Sequence, residues 1–169
     1  MSLSDRRTVL RGLGLLGLGS LSLGACGFTP AYGPTGAASR LQDSILPDAP
    51  QGRDQYLLIQ RFEERLGRGT DGPYALGYTY AISGARMAVT ADNTTSRFNY
   101  IGNVNFVLRD RATEAVLLRG TVDGFTGFSL TGSTSATAAA ERDARNRLAV
   151  LLADKMVTQL IAAASRLPA

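Results

Sequence analysis

From residue 54 the apolar side chains Tyr56, Leu57, Ile59, Phe62 and Leu66 recur at helical spacing, with Arg61, Glu63, Glu64 and Arg65 on the polar side. That spacing predicts an amphipathic helix over 54–66, stopped by Gly67 and Gly69. The period then drops to two. Tyr74, Leu76, Tyr78, Tyr80 and Ile82 alternate with Ala75, Gly77, Thr79, Ala81 and Ser83, which predicts a strand with one apolar face. After a break at Ala91-Asp92-Asn93, a second strand sets Phe98, Tyr100, Val104, Phe106 and Leu108 on one face. Its other face carries Arg97, Asn99, Asn103, Asn105 and Arg109 and should meet water or a polar cavity. Asp110-Arg111-Ala112-Thr113 makes a turn. A third strand from Ala115 groups Val116, Leu118 and Val122 and runs on toward Phe125 or Phe128.

Gly132-Ser133-Thr134-Ser135 opens a long helix in which Ala140, Ala144, Leu148, Leu152, Met156 and Leu160 step by four, widened by Leu151 and Val157. Small alanines at its start let the backbone come close to a sheet, and leucines further on fill more volume. Two apolar helix faces need one surface to cover. The pattern therefore predicts an α+β fold: a two-layer sandwich with two helices on one face of a small, mostly antiparallel sheet of three to four strands. The fourth strand depends on whether residues 41–46 pair at the edge.

The chain's first part follows another logic. Arg6, Arg7 and Arg11 precede an uncharged, Leu- and Gly-rich run over residues 12–25, too short for a spanning helix, which needs about 20 apolar residues. The run ends in Leu23-Gly24-Ala25-Cys26, which resembles a bacterial lipobox: an aliphatic residue, two small ones, then the cysteine whose thiol receives diacylglycerol. Asp5-Arg6-Arg7-Thr8-Val9-Leu10 also resembles a twin-arginine export motif, so the export route stays open. Gly12-Leu13-Gly14-Leu15-Leu16-Gly17 matches a dinucleotide-binding pattern, but no strand precedes it. The expected organisation is a signal peptide over 1–25, a lipid-anchored tether over 26–52 containing Pro30, Pro34, Pro47 and Pro50, and the sandwich domain over 53–169.

Composition narrows the chemistry. The 169 residues include no histidine and one cysteine, which excludes a Ser-His-Asp or Cys-His nucleophile, a histidine-ligated zinc site and an intramolecular disulfide. Adjacent Glu63 and Glu64 point about 100° apart on a helix and make no acid–base pair. No Asp-rich cation loop or P-loop occurs, so neither an enzyme nor a metal or other cofactor is expected. The net charge of +4 falls to +2 once the leader's three arginines and one aspartate are removed, too weak a field for nucleic acid. All basic residues but Lys155 are arginine, whose planar fork suits phosphate and carboxylate. Arg97 and Arg109 share the polar face of the second strand. Arg86 and Arg97 flank one reversal, so they are expected as neighbours at one end of the sheet, where an arginine pair can hold an anionic headgroup.

Cys26-Gly27-Phe28-Thr29-Pro30-Ala31-Tyr32-Gly33 resembles the opening of the lipopolysaccharide-assembly lipoproteins, the LptE family, of alphaproteobacterial type. The helix segment from Tyr56-Leu57-Leu58-Ile59 to Glu64-Arg65-Leu66, the pieces Tyr74-Ala75-Leu76, Thr95-Ser96-Arg97 and Val107-Leu108-Arg109-Asp110, and the run Ala138-Ala139-Ala140-Glu141-Arg142-Asp143-Ala144 continue that resemblance, with Leu152-Ala153-Asp154-Lys155-Met156 closing it. The resemblance implies the same two-helix sandwich, lipid-anchored at the periplasmic face of the outer membrane. It implies a non-enzymatic role: assisting assembly of the β-barrel translocon LptD, plugging it, and binding lipopolysaccharide during delivery to the cell surface. Arg86, Arg97 and Arg109 are the expected lipopolysaccharide contacts. The other reading is an accessory lipoprotein of an ABC-type lipid transport system, which needs an apolar pocket between sheet and helices.

Overall fold

In chain order the elements are β1 (Ile45–Pro47), α1 (Arg53–Leu66), β2 (Tyr74–Val89), β3 (Thr95–Asp110), β4 (Val116–Ser129) and α2 (Thr134–Ala163), followed by a 3-10 turn at Ala164–Arg166. The structure is a computed structural model and describes residues 32–33, 36, 38–89, 95–130 and 133–168. The leader, Cys26 and the break at 91–93 lie outside the described residues. The sheet order is β1-β2-β3-β4, with β1 parallel to β2 and the other pairs antiparallel. The α+β expectation of two helices on one face of a four-stranded, mostly antiparallel sheet holds.

Alternation carries through to packing. Tyr74, Leu76, Tyr100, Val104, Phe106, Leu108 and Val122 are buried on the helix side of the sheet. They meet Leu58 and Phe62 of α1 and Leu148, Leu152, Met156 and Leu160 of α2, so the space between the layers is filled by side chains. Two glycines make room for α2. A Cβ on Gly102 would sit 2.7 Å from Leu152 Cδ1, and one on Gly124 would sit 2.9 Å from Leu151 Cδ2. The missing methyls form a shallow trough in β3 and β4 into which the helix's leucines settle.

The helix ends follow local chemistry. Ser133 caps α2 by accepting from the Ala136 amide at 3.3 Å. Gly67 ends α1 with φ 74° while its N–H bonds the Glu63 carbonyl at 2.8 Å, and a side chain there would collide with Asp43. The charged faces of the helices meet at Asp154, which accepts from Arg61 Nε at 3.0 Å and from Arg65 Nη1 at 2.7 Å.

The strand at the far edge is sealed from its own side. Gln159 Nε2 donates to the Thr121 carbonyl at 3.1 Å, Lys155 Nζ to that of Asp123 at 2.6 Å, and Arg147 Nη2 to that of Gly127 at 3.1 Å. These α2 residues recur at multiples of four, and the carbonyls they reach recur at multiples of two along β4. One helix stripe therefore runs along one strand edge and occupies three of its outward acceptors.

Three expectations need correction. The packed domain takes in more chain than 53–169: Ala38 is fully buried, and Leu41 and Ile45 are each 1% exposed, because Ile45 pairs with Tyr74 and carries this segment under the helices. In α1, Tyr56 is 59% exposed and Leu58 is buried instead, so the buried stripe is rotated from the predicted one. Val116 does not join Leu118 and Val122. A register shift sets it opposite Arg109, on the far face of the sheet. Phe125 also lies on that face, and it is Phe128 that turns toward the helices.

Candidate functional site

The face of the sheet away from the helices is uncovered. Thr79, Ala81 and Ser83 of β2, Arg97, Ile101 and Asn105 of β3, and Thr121, Asp123 and Phe125 of β4 are all exposed there. Small and polar side chains dominate, with one interruption. Ile101 and Phe125 are cross-strand partners, 47% and 66% exposed, and Met87 near the free end of β2 is 59% exposed. Exposed large apolar groups set together in this way mark a contact surface more than scattered single ones do.

Met87 and Phe125 line a cleft of about 580 Å³ at this end of the sheet, together with Arg97, Asn99, Gly127 and Ser129. A Cβ on Gly127 would approach Asn99 Oδ1 to 2.6 Å, so the glycine keeps the floor open. Arg97 is exposed, has no ion pair among the described residues, and lines the cleft together with these two apolar side chains. The combination offers apolar contact and a bidentate anion donor within one cleft, which matches an amphiphile with an anionic head.

The three candidate arginines separate. Arg86 and Arg97 both lie near the end of the β2–β3 pair, but they are not neighbours on one surface. Arg86 is opposite Phe98, whose ring packs on the core side, whereas Arg97 is opposite Ala88 beyond a register shift and lines the cleft on the other face. Arg109 shares the face of Arg97 but stands twelve positions along β3, about 40 Å away at ~3.3 Å per residue. Only Arg97 belongs to the cleft.

Behind the cleft, on the helix side, Phe98, Tyr100 and Phe128 form an aromatic cluster with ring centroids 5.4 to 5.7 Å apart. Arg145 of α2 lies 4.7 Å over the Tyr100 ring and pairs with Asp54 at 3.0 Å, and Tyr100 donates to Glu141 at 2.5 Å. Burial, then the Glu141 carboxylate, pushes the Tyr100 phenol up. This network fixes the rigid backing against which the cleft opens.

The opposite end of the molecule holds the start of the described chain. Tyr32 accepts from Arg65 at 2.8 Å, and the same guanidinium lies 5.8 Å from its ring centroid. Arg65 is at the C-terminal end of α1, beside the segment that enters β1. Tyr32 therefore lies toward the end of the sheet remote from the cleft. Among the described residues, no three His, Cys, Asp or Glu side chains converge as a metal site.

The sequence was compared with known families, and the family model LptE, lipopolysaccharide-assembly, matches residues 45–160. The chain belongs to this family. Members of the LptE family are assembly lipoproteins, and the match spans every strand and most of both helices. Among solved structures, a candidate lipoprotein from Caulobacter crescentus CB15 is 25% identical with a TM-score of 0.63, covering 76% of this chain and 96% of its own. Rare lipoprotein B from Shewanella oneidensis is 12% identical with a TM-score of 0.55, over 73% of this chain and 95% of its own. A minor lipoprotein from Acinetobacter baumannii is 16% identical with a TM-score of 0.52, over 74% and 92%. The latter two share the fold. Comparison with curated protein sequences gives no match.

Sequence reasoning passed over Met87 and placed Phe125 only as a possible strand end. The signal was present in the alternation: Phe125 keeps odd parity with Asp123 and Thr121, which puts it on the polar face.

Proposed function

We propose that the chain is an outer-membrane lipoprotein that binds lipopolysaccharide at the Arg97 cleft while held by the translocon barrel LptD, whose assembly it assists. Family membership supports the role in lipopolysaccharide assembly. The observation that carries the binding site is the exposed Arg97 set beside exposed Met87 and Phe125 in one cleft. Lipopolysaccharide presents phosphate and acyl chains together, and the cleft offers a donor for the first and apolar surface for the second. Chemistry is not required of any residue, and the role is non-enzymatic.

Acylation at Cys26, processed at Leu23-Gly24-Ala25, gives the molecule a direction. Tyr32 is six positions after Cys26, a reach of at most about 20 Å. The Tyr32 end would lie close to the anchoring leaflet and the Arg97 cleft would project away from it, toward arriving ligand and the barrel lumen. The accessory-domain reading needs an apolar cavity between the layers, where this structure has packed side chains.

The deciding experiment is affinity purification of the full-length chain from solubilised outer membranes. Recovery of LptD in near-stoichiometric amount is expected. Recovery of the chain alone, or with inner-membrane transporter subunits, would remove the proposal. Cys26→Ala should abolish metabolic labelling with palmitate, and persisting label would refute the anchor.

A further inference from the structure

The two edges of the sheet are treated differently. The outward carbonyls of β4 at Thr121, Asp123 and Gly127 are taken by side chains of α2. On the other side β1 covers only Tyr74, Ala75 and Leu76 of β2. Tyr74 N–H bonds the Ser44 carbonyl, and the Leu76 carbonyl accepts from Asp48 N–H, so even-numbered residues of β2 turn their backbone groups outward. Antiparallel alternation continues this to Tyr78, Tyr80, Ile82, Gly84 and Arg86. Among the described residues, no strand pairs with these positions on that side.

Beside the open edge lies a groove of about 390 Å³ between β2 and the N-terminal end of α1, lined by Tyr80, Ile82, Arg53, Asp54, Gln55 and Arg145. The Tyr80 hydroxyl is buried with no hydrogen-bond partner among the described residues. An open ladder is the sign of a missing neighbour. A run of outward amides and carbonyls at every second residue is complementary to extended backbone and to no small solute. Arg53 lines the groove beside Tyr80 and Ile82 and Arg86 ends the run, both exposed and without an ion pair among the described residues, while Arg145 is matched by Asp54 and Asp48 lies by the Tyr78 end.

We infer that the β2 edge from Tyr78 to Arg86 receives an extended, acidic segment of the partner polypeptide by strand addition. The inference rests on the barrel partnership proposed above. A closed barrel has no free edge of its own, so the added strand comes from one of its loops or termini. The covered carbonyls of the β4 edge direct it to one side of the sheet.

The test is residue-resolved amide hydrogen exchange on the full chain, free and in the complex purified from outer membranes. The amides of Tyr78, Tyr80, Ile82 and Gly84 should exchange at least ten-fold more slowly in the complex. Those of Thr79, Ala81 and Ser83, already bonded to β3, should not change. Arg53→Glu with Arg86→Glu should lower barrel retention at least ten-fold while leaving thermal unfolding of the free chain within a few degrees. A retained barrel with even-numbered amides as fast as in the free chain would overturn strand addition and leave the partnership standing. Loss of the barrel from the unaltered chain would overturn both. Protection that appears with self-association of the free chain would show a second copy at the edge and overturn the assigned occupant. Unchanged retention in the double variant would overturn the acidic character.

Discussion

Lys155, the chain's one lysine, donates from Nζ to the backbone carbonyl of Asp123 at 2.6 Å. Together with Gln159 on the Thr121 carbonyl, it shields an edge strand that would otherwise offer acceptors to any other chain. Lys155→Ala combined with Gln159→Ala is expected to change unfolding free energy by less than about 1 kcal/mol, since both side chains are exposed. It should instead promote concentration-dependent association, visible in sedimentation velocity. A monomeric double variant at high concentration would refute the shielding role.

Asp154 holds two arginines from one helix turn of α1. Its oxygens accept from Arg61 and Arg65, and the contacts push both guanidinium groups above their ordinary range, for Arg65 with Tyr32 as the leading cause. All three side chains are about a third exposed, so solvent screens part of the interaction. Asp154→Ala should cost about 1–2 kcal/mol by urea unfolding, and high salt should narrow the gap between variant and parent. An unchanged midpoint would show that apolar packing alone joins the helices.

Tyr80→Phe removes a buried hydroxyl that has no hydrogen-bond partner among the described residues. The free chain should gain about 1 kcal/mol, because an unsatisfied polar group costs more to bury than the isosteric apolar one. The phenols of Tyr80 and Tyr78 are pushed up to about 12, chiefly by burial and then by Asp54 and Asp48 respectively. Below about pH 10 both folded and unfolded phenols keep their protons, and stability is independent of them. Above it the unfolded chain ionises first, so stability falls as pH rises toward 12. Denaturation midpoints across pH 9 to 12 should fall less steeply for the Tyr78→Phe, Tyr80→Phe variant. Equal slopes would exclude these phenols as the source.

Arg97→Asp should weaken binding of purified lipopolysaccharide at least ten-fold, and Phe125→Ala several-fold, both with unchanged circular dichroism. Arg109→Asp, some 40 Å along the strand, should have little effect at the cleft, and Arg86→Asp should behave as a change on the other face. Surface plasmon resonance on immobilised chain separates these cases. Equal losses from all three arginines would point to a diffuse electrostatic surface in place of a cleft.

Strand and helix identities were legible because periodicity is a local property. Alternation from Tyr74 to Ile82 and the four-step stripe from Ala144 to Leu160 state which side chains share a face, whatever the rest of the chain does. The absence of histidine set the limits on chemistry in the same way. Parity fails where pairing slips. The shift between Leu108 and Arg109 changed the face of Val116 relative to Leu118, and no single strand announces a bulge opposite its neighbour. Proline content likewise could not reveal that Leu41 and Ile45 are core, since their burial depends on Ile45 meeting Tyr74 across some thirty residues.

By itself, then, the sequence determined the elements, their apolar faces and the two-layer fold, because each follows from spacing within one segment. Which edge of the sheet is sealed, which arginine stands in a cleft and which hydroxyl lacks a partner were decided only by tertiary structure. Those properties belong to contacts between segments far apart in the chain, and a side chain such as Lys155 has no role until the strand it reaches is in place.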